Sequence, residues 1–491
     1  MTERPIRFVH RGALVEVAGL PVTTSVLNWL REQQRCTGTK EGCNEGDCGA
    51  CTVMVGELVQ DNLRWRTVNA CIQFLPTLDG KALRTVEDLG PAHPAAQAMV
   101  ACHGSQCGFC TPGFVVSLAA CQQQHQASGT VPTRGDIADA LSGNLCRCTG
   151  YRPILDAGEA MFKTAAPALD DAATAVLLRT LQADPSLHYR ALQPATGAVE
   201  SFTAPRTLDT LAEAVAAQPQ ATILAGSTDI GLWVNKQLRV LPALTYVGAV
   251  PALKQIDVQG DVLQIGAAAS LEDAWAALVA HWPTLREMAL RFASPPVRHT
   301  GTLGGNLANG SPIGDSPPVL LALDARLVLR HGSAERTLPL DGFYLDYMKN
   351  QRQPGELLVR IDVPLPAPGT QVRAYKLSKR RDCDISGLAC GLAITLQGDT
   401  VQAVRIAFGG LAGTVKRARH AEAALLGKPW TEATLQAAQA ALAQDYQPLT
   451  DLRGSAGYRM RSARALLQRF WLETRPQDPL PASATQVWSA A

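Results

Sequence analysis

The chain has no run of about 18 consecutive apolar residues, so no segment of it is expected to span a bilayer. It has almost no net charge: 45 Lys and Arg against 43 Asp and Glu leave a formal +2 at pH 7. That balance gives no electrostatic case for nucleic acid or an anionic membrane surface as partner. The opening stretch MTERPIRFVH is charged and then alternates like a strand, without the apolar core of a secretion signal, so a cytoplasmic location is expected. Internal repeats and low-complexity tracts are missing. No G-x-G-x-x-G follows a strand-like run, so a Rossmann-type nucleotide site is not signalled.

Cysteine, by contrast, is concentrated. Of the 13, only Cys383 and Cys390 lie beyond Cys148. Without a secretion signal a disulfide framework is not expected, and metal binding is the better reading. The 491 residues suggest three or four domains, and a hydrophobic content of 46% is enough to bury real cores.

Along the chain, residues 1–86 read as a small α+β module. A hairpin spans 5–18 with Arg11-Gly12 at its turn, Thr24 is placed to cap a short helix through Val26, Leu27 and Leu30, and a β-branched run covers 52–55. Residues 87–165 have helical texture. Pro112 and Pro153 suit first helical turns, and Thr133 with Asp136 resembles a capping pair. Residues 166–195 read as a partly helical connector. A mixed α/β region at 196–370 has strand-like runs at 222–225, 243–247, 261–266 and 326–330. A further α+β section follows at 371–478, and a loose tail closes the chain at 479–491.

Two cysteine sets carry chemistry. Cys43-x4-Cys48-x2-Cys51 with a distant Cys71 is the spacing of plant-type [2Fe–2S] ligation, in which one loop wraps a small cluster closely. Gly42, Gly46 and Gly49 are expected to give that loop freedom at positive φ and bare N–H groups for the sulfurs. Zinc is the rival, but it normally takes two close pairs. The second set, Cys107-x2-Cys110 and Cys146-x-Cys148, fits zinc as well as iron–sulfur on spacing alone. Cys36, Cys102, Cys121, Cys383 and Cys390 read as packing residues. His103 suggests a Rieske centre, but the cysteines already suffice.

Two glycine-bearing segments, 224–231 and 300–315, leave backbone bare for a close ligand, although on spacing alone each reads as a tight turn.

The string GCNEGDCGACTV (42–53) resembles the ferredoxin-like first domain of the molybdenum hydroxylases. QCGFCTPG (106–113) and GNLCRCTGYRPI (143–154) closely resemble their second cluster domain. LAGSTDIG (224–231) and TLGGNLANGSPIGDSPP (302–318) look like the two FAD-embracing segments of the same enzymes, and Ala407-Phe408-Gly409-Gly410-Leu411 resembles their C-terminal flavoprotein domain. The resemblance covers about 1–475. It implies an α+β multidomain chain with a ferredoxin-like β-grasp [2Fe–2S] domain, a helical-bundle [2Fe–2S] domain, a vanillyl-alcohol-oxidase-type FAD domain and an α+β C-terminal flavoprotein domain.

The resemblance also implies roles. Cys43, Cys48, Cys51 and Cys71 would hold one cluster, and Cys107, Cys110, Cys146 and Cys148 the other. Gln106 and Cys148 would face a molybdopterin held by a partner. Leu224, Ala225, Gly226, Ser227, Thr228, Asp229, Ile230 and Gly231 would hold the FAD pyrophosphate. Thr302, Gly305, Asn306 and Asp315 would hold the rest of the dinucleotide, with Phe292, Leu358 and Lys376 as further flavin contacts. A lone lysine such as Lys376 would otherwise read as solvated surface.

YKLSKR (375–380) followed by DIS (384–386) is similar to bacterial xanthine dehydrogenases. The expectation is therefore an electron-transfer subunit. Hypoxanthine or xanthine would be oxidised at the molybdenum centre of a large partner subunit, and electrons would pass through the clusters to FAD and then NAD. With no segment left for molybdopterin, an (αβ)2 heterotetramer is expected, and no residue of this chain is nominated for the purine chemistry itself. Cys383 interrupts an acidic run associated with nicotinamide access, which leaves NAD and oxygen both open as acceptors. Alternatives are the equivalent subunit of another molybdenum hydroxylase, or a stand-alone electron-transfer protein.

Overall fold

The computed structural model describes residues 3–165 and 170–485. The chain packs into two compact units, residues 1–251 with 294–301 and residues 252–293 with 302–491.

The first unit opens with the expected hairpin, Ile6–His10 against Ala13–Val17. Arg11 (φ 53°) and Gly12 (φ 70°) both take positive φ, as a two-residue hairpin turn demands. The sheet has five strands in the order Ala13–Val17, Ile6–His10, Ala82–Arg84, Thr52–Val59, Asn62–Asn69. The β-branched run at 52–55 is thus the start of a long hairpin whose second strand the sequence did not signal. Ser25, not Thr24, caps the short helix: its Oγ accepts from Asn28 N at 3.1 Å. The helix lays Val26, Leu27, Trp29 and Leu30 on the sheet, where the Trp29 ring meets Phe8 edge-on at 5.1 Å.

Helices Pro94–Ala101, Thr111–Ser128, Arg134–Ala140 and Arg152–Met161 follow. They close on a core of Phe114, Leu118, Ile137, Ile154 and Met161. Pro112 and Pro153 sit in first turns, where no N–H is missed. Thr133 and Asp136 form a capping box, with Asp136 N to Thr133 Oγ1 at 3.2 Å and Thr133 N to Asp136 Oδ2 at 2.9 Å.

Part of the connector, 166–169, lies outside the described residues. Its remainder is more ordered than its composition suggested: Asp171–Gln182 is a helix and Leu187–Gln193 already a strand. That strand starts a second sheet in the order Leu187–Gln193, Ala198–Ala204, Ala243–Tyr246, Thr222–Leu224.

The second unit contains a five-stranded antiparallel sheet in the order Ile256–Gln259, Val262–Gly266, Leu357–Pro364, Arg326–His331, Ala334–Pro339. Trp275, Leu303, Leu320 and Phe343 pack in the core beside it. A four-stranded meander runs through Thr370–Leu377, Leu388–Gln397, Thr400–Gly409 and Lys416–Arg417. Helices Glu432–Asp445 and Ala456–Thr474 join it around Phe408, Trp430 and Phe470. The tail is less loose than expected at first: Leu480 N donates to Leu472 O at 2.8 Å, and Ala482–Thr485 is one short helix. The rest of the expected loose tail, 486–491, lies outside the described residues. Among the described residues no helix is long and apolar enough to cross a membrane.

Candidate cofactor sites

The loop 42–51 lies just before strand Thr52–Val59, and Cys71 just after strand Asn62–Asn69, so one hairpin brings both ends of the first set together. Cys43 Sγ accepts from Asp47 N at 3.4 Å and Cys48 N at 3.3 Å. Hydrogen bonds from Cys48 and Cys71 hold the Cys43 thiol far below its usual range. The same contact with Cys43, together with burial, pushes Cys48 up. Contacts with Cys43 and Cys51, together with burial, push Cys71 up. Thiolates brought this close together repel one another, and a cation among them offsets that repulsion. Ferric iron supplies that cation, so the donor set fits a cluster. Among the described residues no three His, Cys, Asp or Glu side chains are grouped as for one metal ion. In a [2Fe–2S] centre the four cysteines are shared between two irons.

Gly46 (φ 81°) and Gly49 (φ 69°) take the positive φ expected of them. Gly42 does not, and its role is space: a methyl there would stand 2.8 Å from Cys48 Sγ.

In the second set Cys110 meets Cys146, and Cys107 meets Cys148. Burial, then the contact with Cys146, pushes Cys110 up to about 12. Burial opposes charge on Cys146 too, but bonds from Thr149 outweigh it and lower that thiol. The Cys107 contact raises Cys148. Tyr151, which the sequence reading passed over, accepts from Cys146 N through its Oη at 3.0 Å. Gln106, Cys107 and Cys148 lie exposed at the surface.

The two cysteine loops interlock. Leu145 N, beside Cys146, donates to Cys48 O at 3.0 Å. Asn144, only 2% exposed, donates through Nδ2 to Gly49 O at 3.1 Å and Thr52 Oγ1 at 3.2 Å, and accepts from Ser117 Oγ at 2.7 Å. A Cβ on Gly49 would fall 2.2 Å from Gly143 O, so the backbones touch with no space for a side chain. Asn144 stood inside the GNLCRC string, but nothing in its spacing marked it as the bridge.

Of the flavin-type residues, Leu224 to Gly231 belong to the first unit. Strand Thr222–Leu224 runs into a turn at Ser227 (φ 60°) and then helix Ile230–Asn235. Ser227 is 3% exposed, and its Oγ is buried without a hydrogen-bond partner. At Gly226 a Cβ would fall 2.0 Å from Thr300 O. An orphaned hydroxyl in a turn of small residues fits an anionic group such as a pyrophosphate.

The remaining flavin-type residues belong to the second unit. Thr302 Oγ1 accepts from Gly305 N at 3.0 Å and caps helix Leu303–Asn309, and Asn306 Oδ1 is a second buried acceptor without a partner. Lys376 is not solvated surface. It is 4% exposed, and its Nζ donates to Asp315 Oδ2 at 2.6 Å. Asp315 Oδ1 accepts from Ser386 Oγ at 2.5 Å, a partner with no sequence signal. Phe292 packs in the apolar core, its ring 6.0 Å from Trp275, and Leu358 is in the same core.

Four family models match in succession. Residues 10–75 match a 2Fe-2S iron-sulfur cluster binding domain and 85–159 a [2Fe-2S] binding domain. Residues 197–366 match the FAD binding domain in molybdopterin dehydrogenase, and 373–474 the CO dehydrogenase flavoprotein C-terminal domain. Xanthine dehydrogenase of Emericella nidulans is 31% identical over 96% of this chain and 39% of its own length. Xanthine dehydrogenase/oxidase of Gallus gallus is 30% identical over 87% of this chain and 37% of its own. The chain therefore spans under two fifths of these relatives. A solved chain of carbon monoxide dehydrogenase from Hydrogenophaga pseudoflava superposes with TM-score 0.52 and 32% identity, over 55% of this chain and 94% of that one.

Two [2Fe–2S] domains and an FAD domain in one polypeptide make this an iron–sulfur flavoprotein. It belongs to the molybdenum hydroxylase family, as an iron–sulfur and FAD electron-transfer module.

Proposed function

We propose that the chain is the electron-transfer subunit of a cytoplasmic xanthine dehydrogenase. It would act with a large molybdopterin-binding subunit that oxidises hypoxanthine or xanthine, in an (αβ)2 assembly. When bound, the clusters would supply one-electron chemistry and FAD the conversion to the two-electron chemistry that reduction of NAD needs. Cys43, Cys48, Cys51 and Cys71 hold the first cluster; Cys107, Cys110, Cys146 and Cys148 hold the second. Ser227 and the N–H groups of its turn, with Thr302, Gly305 and Asn306, are assigned to FAD. Gln106 and Cys148, at the exposed edge, are assigned to the partner's molybdopterin.

The observation that carries this reading is the interlock of the two cysteine loops, where Leu145 N–H meets Cys48 O at 3.0 Å. Two independent structural metal sites gain nothing from such a junction. An electron relay gains a fixed separation between its two centres, which the buried Asn144 helps to hold.

The test is purification with the native partner. About four irons, four acid-labile sulfides and one FAD per chain are expected, with a large molybdenum-containing chain and xanthine-dependent NADH formation. Zinc in place of iron, or no molybdenum partner, would end the proposal. A second reading, the corresponding module of a different molybdenum hydroxylase, is favoured by the likeness to carbon monoxide dehydrogenase. Activity on another substrate, with xanthine inert, would select it.

A further inference from the structure

The helix Ile230–Asn235 follows directly on the Ser227 turn and ends against the first cysteine loop. At its start, Gly231 has no room for a side chain, because a Cβ would stand 2.8 Å from Ile72 O, one residue after Cys71. At its end, Asn235 Nδ2 donates to Cys71 O at 2.9 Å, to Asn44 Oδ1 at 3.1 Å and towards Asn44 O at 3.3 Å. The next residue, Lys236, donates from Nζ to Cys43 O at 2.5 Å, and the same ammonium lies 3.7 Å from Glu45 Oε2. Two consecutive side chains thus grip the main chain at the first and last cysteines of the set, from outside the ferredoxin-like domain.

That grip has an electrostatic sign. A [2Fe–2S] centre with four thiolates is an anion that gains one more negative charge on reduction. A fixed cation beside it therefore stabilises the reduced form, and bonds that fix the N–H···S geometry act in the same direction. Lys236 supplies the cation and also offsets Glu45, whose carboxylate belongs to the same loop. Asn235 holds the corner at Asn44 and Cys71, in the same loop whose Asp47 N and Cys48 N donate to Cys43 Sγ. Both members of the ion pair are part-exposed, at 42% and 43% for Lys236 and Glu45, so salt should screen the effect.

We propose that Lys236, steadied by Asn235, is a positioning residue that raises the reduction potential of the first cluster and ties that cluster to the segment carrying the Ser227 turn. The proposal rests on Cys43, Cys48, Cys51 and Cys71 being the ligands. The experiment uses the complex isolated with its native partner, as wild type, Lys236→Met, Lys236→Arg and Asn235→Ala. Each is poised with redox dyes and read by EPR, and the first cluster's signal is the one that Cys43→Ala abolishes. Lys236→Met should shift the midpoint of that signal to lower potential and leave the other signal in place. At the wild-type midpoint less than half of the first cluster should then be reduced. Lys236→Arg should restore the midpoint, and the shift should shrink in ~1 M salt, where the Debye length is about 3 Å. Asn235→Ala should broaden the same signal alone, and an unchanged line shape would remove Asn235 from the proposal. An unmoved midpoint in Lys236→Met, or an equal shift of both signals, would overturn it. If Cys43→Ala abolishes no signal, the ligand assignment has failed instead, a separate and recognisable result.

Discussion

Asn144→Ala is the sharpest probe of the junction between the cysteine loops. The side chain makes three hydrogen bonds, to Gly49 O, Thr52 Oγ1 and Ser117 Oγ, at a site 2% exposed. At about 1 kcal/mol net for each, their loss costs about 3 kcal/mol, with more if Ser117 is left without a partner. That corresponds to roughly a hundredfold in the opening equilibrium. Hydrogen exchange on the complete complex reads it directly, because the Leu145 N–H is protected only while it bonds to Cys48 O. Protection should fall by about two orders of magnitude in both 42–53 and 143–150, with helix Thr111–Ser128 unchanged beyond its first two turns. If only one of the two segments loosens, the loops are not a joint unit, and the path between the cysteine sets must be argued elsewhere. Asn144→Asp keeps the shape and the acceptor for Ser117 but removes both donors. It should loosen the same two segments.

Cys43→Ala and Cys146→Ala should each abolish one of two EPR signals and spare the other; persistence of both in either variant would refute that ligand set. Gly226→Ala puts a methyl where Thr300 O stands 2.0 Å away, and should lower the bound FAD per chain, measured by flavin release, while leaving iron content near wild type. Lys376→Met strands the Asp315 carboxylate in the core and should destabilise the protein by about 3–5 kcal/mol, seen as a lower melting temperature. His10 and His93 are both held below their ordinary value of 6.5, chiefly by burial. The unfolded chain then binds more protons than the folded one as pH falls below that value. Their contribution is therefore full above about pH 6.5 and is lost on acidification. His10→Gln should flatten the melting temperature between pH 7 and 5, and an unchanged slope would contradict this.

Much of the site was legible because cluster ligation is local. Three cysteines within nine residues announce themselves by spacing, and Gly46 and Gly49 by the turns they permit, whereas the second set fitted zinc equally on spacing and was singled out by the family resemblance. Pro112, Pro153 and the Thr133–Asp136 box marked helix starts, because each satisfies a terminal backbone requirement within four residues. What spacing could not supply was distant pairing. The strand Asn62–Asn69 carries too many polar residues to signal itself and is defined by its partner Thr52–Val59. Lys376 reads as surface until Asp315, 61 residues away, is found beside it. Asn235 and Lys236 sit in an ordinary helix end, and their contacts with Cys71 and Cys43 cross more than 160 residues. Ser25 displaced Thr24 as helix cap through a one-residue ambiguity that two adjacent hydroxyl residues always leave.

The segment 294–301 belongs to the first unit although its flanks on both sides belong to the second. Within the first unit Ser294 seats against Gly143, and His299 Nδ1 lies 2.9 Å from Thr67 O. A cut after residue 251 would therefore yield a fragment missing a piece of its own wall. Attempts to swap the first unit between homologues as a cassette, or to encode it as a separate gene product, must carry these eight residues along or build a substitute for them.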